Sequence, residues 1–200
     1  MSLFKKIFGK KDGDSNSKLE QRGKFMPEIK LPIDEKFTIN FKRNGGKFLY
    51  CESLDEIYEC FDSILIENNW IDETACCFEE KLLNKFKKFN IKFKSHPSNS
   101  TFFLTSCENL VADNGAILIS SNQIKEEKLY GLPDNFIVFA TTSQLVNTIG
   151  EGLKGIKSKN KTKIPTNITT IKHFNIKEEK DFLTYGSSSK NLYLLLLEDL

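Results

Sequence analysis

Two carboxylates and a set of hydroxyl and amide side chains gather in the middle of this 200-residue sequence: Glu108, Asp113, Ser120, Ser121, Asn122, Thr141 and Thr142. A carboxylate can take a proton or accept a ligand's hydrogen bonds, and hydroxyls and amides can orient that ligand. Glu108 and Asp113 stand five positions apart. That offset is odd, so a regular strand sends them to opposite faces and an acid–base dyad is disfavoured. The reading is that one of them lines a pocket, with Ser120, Ser121 and Asn122 adding hydrogen bonds. Thr141 or Thr142 would add a hydroxyl at the start of a following helix, whose free amides suit a carboxylate or phosphate. The plainer reading makes the same residues turns and caps, and Asn114-Gly115 needs no more than a two-residue hairpin turn.

A second candidate anion loop is Gly186-Ser187-Ser188, where small residues leave backbone amides free. It leads into the last strand, whereas ligands of open α/β sheets gather at the carboxyl ends of strands. Gly150-Glu151-Gly152-Leu153-Lys154-Gly155 imitates a dinucleotide fingerprint, but that motif belongs in a tight turn between strand and helix. Here it is expected inside or at the end of a helix, so the nicotinamide reading is set aside. The basic run Lys154, Lys157, Lys159, Lys161 and Lys163 reads as a solvated loop. His96 and His173 read as surface or capping residues. No Ser-His-Asp order, zinc motif, Walker loop or aromatic-basic RNA signature occurs.

The elements that must position these groups follow from periodicity. Asp34 is placed to cap a helix carrying Phe37, Ile39 and Phe41, ended by Gly45-Gly46. A short strand at 47–51 precedes a capping box, Ser53 to Glu56, that opens a second helix. Strands are expected at 74–78, 91–94, 101–105, 109–113, 116–120 and 136–141, with a helix at 79–89. Ser143 would cap a helix running to about Ile156. An extended stretch at 167–171, a helix at 177–185 and an apolar strand at 191–197 complete the chain. Apolar strands separated by helices predict a three-layer α/β fold, a mostly parallel sheet with helices on both faces and a β-hairpin insertion.

One ordered stretch adds a likeness. Ala112-Asp113-Asn114-Gly115 precedes an apolar strand, then come Leu132-Pro133, the strand Phe136-Ile137-Val138-Phe139-Ala140, and Ser143-Gln144-Leu145-Val146. This succession resembles the LUD domain, the family of lactate-utilisation proteins B and C, over roughly residues 34–200. The resemblance implies a fold like that of the sugar-phosphate isomerases and CoA transferases. It also implies a subunit or accessory factor of L-lactate utilisation that binds a small anionic metabolite. Iron–sulfur centres would then sit in partner subunits, with no cofactor bound by this chain. The alternatives are a stand-alone enzyme acting on a phosphorylated or CoA-linked metabolite, and a non-catalytic interaction module. The chain departs from the family where Gly-Val-His-Gly-Pro is usual. It reads Thr184-Tyr185-Gly186-Ser187-Ser188, so only Gly186 matches and no mechanism that needs the histidine carries over.

Bulk properties narrow the classes further. A net charge of +2 argues against a nucleic-acid binder. Residues 1–30 hold eight basic side chains against four acidic ones and read as a flexible tail. Leu3, Phe4, Ile7 and Phe8 there could give weak contact with a membrane surface. Residues 31–200 form the single domain. The five cysteines, Cys51, Cys60, Cys76, Cys77 and Cys107, lack a Cys-x-x-Cys pair or any metal spacing. They read as free thiols of a cytoplasmic protein, and nothing suggests a signal peptide or a membrane span.

Overall fold

The computed structural model describes residues 31–174 and 190–199. The N-terminal tail, the helix expected at 177–185 and the Gly186-Ser187-Ser188 loop lie outside the described residues. In chain order the strands are β1 (Lys47–Cys51), β2 (Thr74–Cys76), β3 (Lys92–Lys94), β4 (Phe102–Thr105), β5 (Asn109–Val111), β6 (Ala116–Ile119), β7 (Asn135–Thr141), β8 (Leu145–Val146), β9 (Thr169–Ile171) and β10 (Asn191–Leu197). The helices are α1 (Ile33–Arg43), α2 (Leu54–Glu67), α3 (Glu80–Phe86), α4 (Ser121–Ile124) and α5 (Ile149–Lys159).

Six strands make one sheet in the order β1-β10-β7-β4-β2-β3, and every neighbouring pair is parallel. Its central strands are apolar on both sides because both faces are covered. Leu192, Leu194 and Leu196 of β10 join one core, with Phe136, Val138 and Ala140 of β7. Tyr193 and Leu195 point the other way, with Ile137, to meet α2 and α3. Rings hold that second layer together: Phe61 lies 4.5 Å from Phe86 and 4.8 Å from Phe89, centroid to centroid. Ser53 caps α2 by accepting the Glu56 N–H, while the Glu56 carboxylate takes the Glu52 N–H at 2.9 Å, so only the forward half of the expected capping box forms.

The opposite face is closed by α1 and a second, smaller sheet of order β8-β5-β6-β9. The expected hairpin is β5–β6, paired antiparallel, and it recruits β8 and β9 into a sheet of its own. Its residues alternate as period two demands. Leu110, Ile117 and Ile119 face the main sheet, while Val111, Ala116 and Leu118 pack on Ile156 of α5. The result is the three-layer α/β arrangement, with part of one layer supplied by strands.

Three local expectations need correction. The hairpin turn is not the two-residue Asn114-Gly115 loop, because Val111 pairs with Ala116 and four residues lie between them. The Gly115 N–H reaches back to the Val111 carbonyl at 2.9 Å, and Gly115 takes φ +65°. No helix starts at Ser143 either. Thr142–Gln144 is a single 3₁₀ turn, β8 follows, and α5 begins only after Thr148, whose hydroxyl accepts the Glu151 N–H. Leu145 and Val146 leave helical geometry to pair with Leu110 and Val111, so tertiary pairing overrides the local cap signal. Finally, Pro32 rather than Asp34 is the N-cap of α1, and Asp34 lies in its first turn, where a negative charge suits the helix dipole. The other end of α1 is as expected. Gly45 at φ +86° donates to the Lys42 carbonyl at 2.9 Å and Gly46 to the Phe41 carbonyl at 3.1 Å, a Schellman closure.

Candidate functional site

The carboxyl ends of β2, β4, β7 and β10 run into segments rich in side-chain oxygen and nitrogen. After β4, the Glu79 carboxylate accepts from Thr105 Oγ1 at 2.9 Å and from the Ser106 N–H at 2.7 Å, and the Ser106 hydroxyl donates to its other oxygen. After β7, Gln144 works from both ends of its amide. Its oxygen accepts the Thr141 N–H at 2.8 Å, and its nitrogen donates to the Cys107 carbonyl at 2.5 Å. This ties the end of β7 to the segment entering the hairpin. After β10, Asp199 takes the Ser143 N–H at 2.8 Å, the Ser143 hydroxyl at 2.7 Å and the Thr142 hydroxyl at 2.9 Å. Burial would raise the Asp199 pKa, but these donors and the Thr141 hydroxyl outweigh it and hold the carboxyl at about 2. The chain's own acid therefore fills the turn where amides and hydroxyls were expected to receive a ligand.

Glu108 is held differently. Ser120 Oγ donates to its Oε1 at 2.6 Å and Asn122 Nδ2 donates to the same oxygen at 2.8 Å. Oε2 accepts no hydrogen bond among the described residues. Ser120 is locked in turn as the N-cap of α4, accepting the Asn122 N–H at 3.1 Å while Gln123 accepts the Ser120 N–H at 2.9 Å. The half-buried carboxylate thus has a fixed orientation and one open oxygen.

The remaining candidate residues have other duties. Ser121 clips the chain to a distant loop, donating its N–H to the Thr166 carbonyl at 2.8 Å and accepting the Thr166 N–H at 3.0 Å. Asp113 forms an ion pair with Lys36 of α1. Around it Asn40 donates to the Ala112 carbonyl at 2.8 Å, and Asn44 to the Asn114 carbonyl at 2.7 Å. The acidic turn is thereby docked under α1, away from the Glu108 group.

Glu79, Gln144, Asp199 and Lys125 were not singled out from the sequence. Gln144 carries a readable signal, since Thr141 and Gln144 have capping-box spacing and form one here. Lys125 ends α4 with φ 51° and ψ −128°, a region that side-chain-bearing residues rarely adopt. Its ammonium lies 4.9 Å from the Phe78 ring centroid. Burial pushes the Cys76 and Cys77 thiols up to about 11 and about 12, and Lys125 pulls against that rise at both. A strained lysine therefore places positive charge over the carboxyl end of β2, at the end of the short helix that carries Asn122.

Gly150–Gly155 lies inside a helix, as expected, in the first two turns of α5 and soon after β8. The first turn is already capped by Thr148, with Glu151 accepting the Asn147 N–H at 2.9 Å. A Cβ on Gly152 would lie 3.0 Å from Leu118 Cδ2, so this glycine serves close packing of helix on sheet. Among the described residues no His, Cys, Asp and Glu groups are placed to hold a metal ion, and no helix is long and apolar enough to cross a membrane.

The fold and the site can be set beside known proteins. The structure resembles the crystal structure of a DUF162 family protein from Deinococcus radiodurans, with a TM-score of 0.60 at 13% sequence identity. The likeness covers 86% of this chain and 100% of the other. No curated protein matches the sequence. The model of the LUD domain matches residues 35–197, which takes in both sheets and every residue of the Glu108 group. The chain belongs to the LUD-domain family.

Proposed function

We propose that this LUD-domain protein serves L-lactate utilisation, the oxidation of L-lactate to pyruvate, as a subunit or accessory factor that binds a small anionic metabolite. The supporting observation is Glu108, fixed through Oε1 by Ser120 and Asn122, with Oε2 open among the described residues. An open carboxylate oxygen suits the hydroxyl of a 2-hydroxy acid, because hydrogen bonds to charged acceptors are the strong ones. The ligand's own carboxylate would meet the amide of Asn122 and the ammonium of Lys125, which belong to the same short helix that Ser120 caps. Electrons leaving lactate would pass to iron–sulfur partner subunits. The setting is the cytoplasm, whose reducing poise keeps thiols free in the absence of an oxidant.

A thermal-shift series with L-lactate, pyruvate, sugar phosphates and CoA esters tests this. At a hundredfold excess over Kd, bound lactate adds about 2.7 kcal/mol. For a chain of this size that raises Tm by about 5–10 °C. Stabilisation by sugar phosphates or CoA esters alone would instead support a stand-alone enzyme that uses Glu108 as base or nucleophile. No shift with any of them would leave a non-catalytic interaction module.

A further inference from the structure

Cys51 ends β1 in the buried core, and Cys60 faces it from the second turn of α2. Their sulfur atoms are 3.6 Å apart, and both are free thiols. Cys60 is only half-buried, whereas Cys51 is fully covered. We propose that Cys51 and Cys60 are a thiol-oxidation site, closed to an intrachain disulfide by a hydroperoxide and reopened by a dithiol. The two sulfurs are already neighbours, so a modest approach of α2 toward β1 brings them to bonding distance.

The order of events follows from access and charge. Burial pushes the Cys51 thiol up, and the neighbouring Cys60, Glu56 and Glu59 push it further, so Cys51 stays protonated and shielded. Cys60, on the solvent side, meets the oxidant first. Its thiolate attacks the outer peroxide oxygen, the O–O bond breaks, and the sulfenic acid forms as water or an alcohol leaves. The Cys51 sulfur then attacks the sulfenic sulfur, and hydroxide departs with the Cys51 proton as water. Two thiols are oxidised by two electrons and one peroxide is reduced.

The bond would matter beyond the pair. The Cys51 carbonyl accepts the Glu198 N–H at 2.9 Å, and Glu198 is followed by Asp199, which fills the Thr142–Ser143 turn. Pulling β1 toward α2 therefore acts on the last residues at the carboxyl edge of the sheet. This inference does not depend on lactate being the ligand.

The test is non-reducing peptide mapping of the full chain after a hydrogen peroxide pulse and alkylation of free thiols. Trypsin leaves Cys51 and Cys60 in one peptide, because no lysine or arginine lies between Phe48 and Glu80. Cleavage after glutamate separates them, at Glu52, Glu56 and Glu59. The expected product joins the peptide ending at Glu52 to the one beginning at Cys60, with Cys76, Cys77 and Cys107 alkylated. Dithiothreitol should restore five alkylated thiols, and Cys60→Ser should abolish the product while Cys76→Ser retains it. The proposal is overturned if Cys60 is driven to sulfinic acid with Cys51 still alkylated. Disulfides linking two chains, or five alkylated thiols after the pulse, would overturn it equally.

Discussion

Asp113 and Glu108 bracket the same short strand and end in opposite situations. Asp113 sits in a turn pinned from above by α1, ion-paired with Lys36, with Asn40 and Asn44 holding the carbonyls on either side. Glu108 sits where the main sheet hands over to the hairpin, anchored through one oxygen and without a hydrogen bond at the other among the described residues. One acid is spent on joining two layers of the fold. The other is oriented by neighbours that bond only one of its two oxygens among the described residues. Sequence distance says nothing of this difference; the helix that crosses the turn decides it.

The contrast can be broken most forcefully at Gly115, beside Asp113. A Cβ there would lie 2.4 Å from the Asn40 carbonyl carbon and the Phe41 nitrogen, and the residue needs φ +65°. Gly115→Ala should therefore cost about 3 kcal/mol, because backbone that cannot yield adds to the left-handed penalty. Chemical denaturation reads the change. A near-neutral result would show that the turn is not held tightly under α1.

A smaller loss is expected at the amino edge of the main sheet. The buried Lys190 ammonium donates to the Leu132 carbonyl at 3.0 Å, the Pro133 carbonyl at 3.1 Å and Asp134 at 3.3 Å. Burial lowers its pKa, with Asp134 pulling the other way. Lys190→Met keeps the chain's apolar length but leaves two carbonyls without their donor, for about 2 kcal/mol. Acids held by hydroxyls mark the carboxyl edge and a satisfied cation this one, so ligand stabilisation by L-lactate should persist in Lys190→Met.

The pair itself comes next. Asp113→Asn breaks a half-exposed ion pair and should cost under about 1 kcal/mol. Glu108→Gln keeps shape and anchoring and should move stability by about 0.5 kcal/mol or less. The smallest effect belongs to Asp199. Its folded pKa of about 2 lies below the ordinary value of 3.8, so its contribution is present above about pH 4 and is lost as pH falls toward 2. Asp199→Asn should flatten that part of the stability profile, and by little, because Asp199 is exposed.

Much of the fold was legible because its signals are local or strictly periodic. The Ser53 N-cap, the Gly45-Gly46 closure and the two-sided apolar strands each have a single structural solution. What escaped depends on contacts between distant segments. Leu145-Val146 reads as the inside of a helix until Leu110-Val111 pairs with it. Asn114-Gly115 reads as a complete turn until α1 takes hold of its carbonyls. In the candidate site, Glu108, Ser120 and Asn122 were found from their types and nearness in sequence. Asp199 was not, because nothing local shows that the last strand would carry it to Ser143, 56 residues away. Lys125 stayed hidden among surface lysines, since its strained backbone has no signature in sequence.

Titration calorimetry of L-lactate into the wild type, Glu108→Gln and Asp113→Asn tests the central claim most directly. Asp113→Asn should bind as the wild type does. Glu108→Gln should bind at least tenfold more weakly, about 1.4 kcal/mol, with Tm unchanged in the absence of ligand. Equal affinity in Glu108→Gln, or a loss confined to Asp113→Asn, would contradict the assignment of the open carboxylate as the ligand's partner.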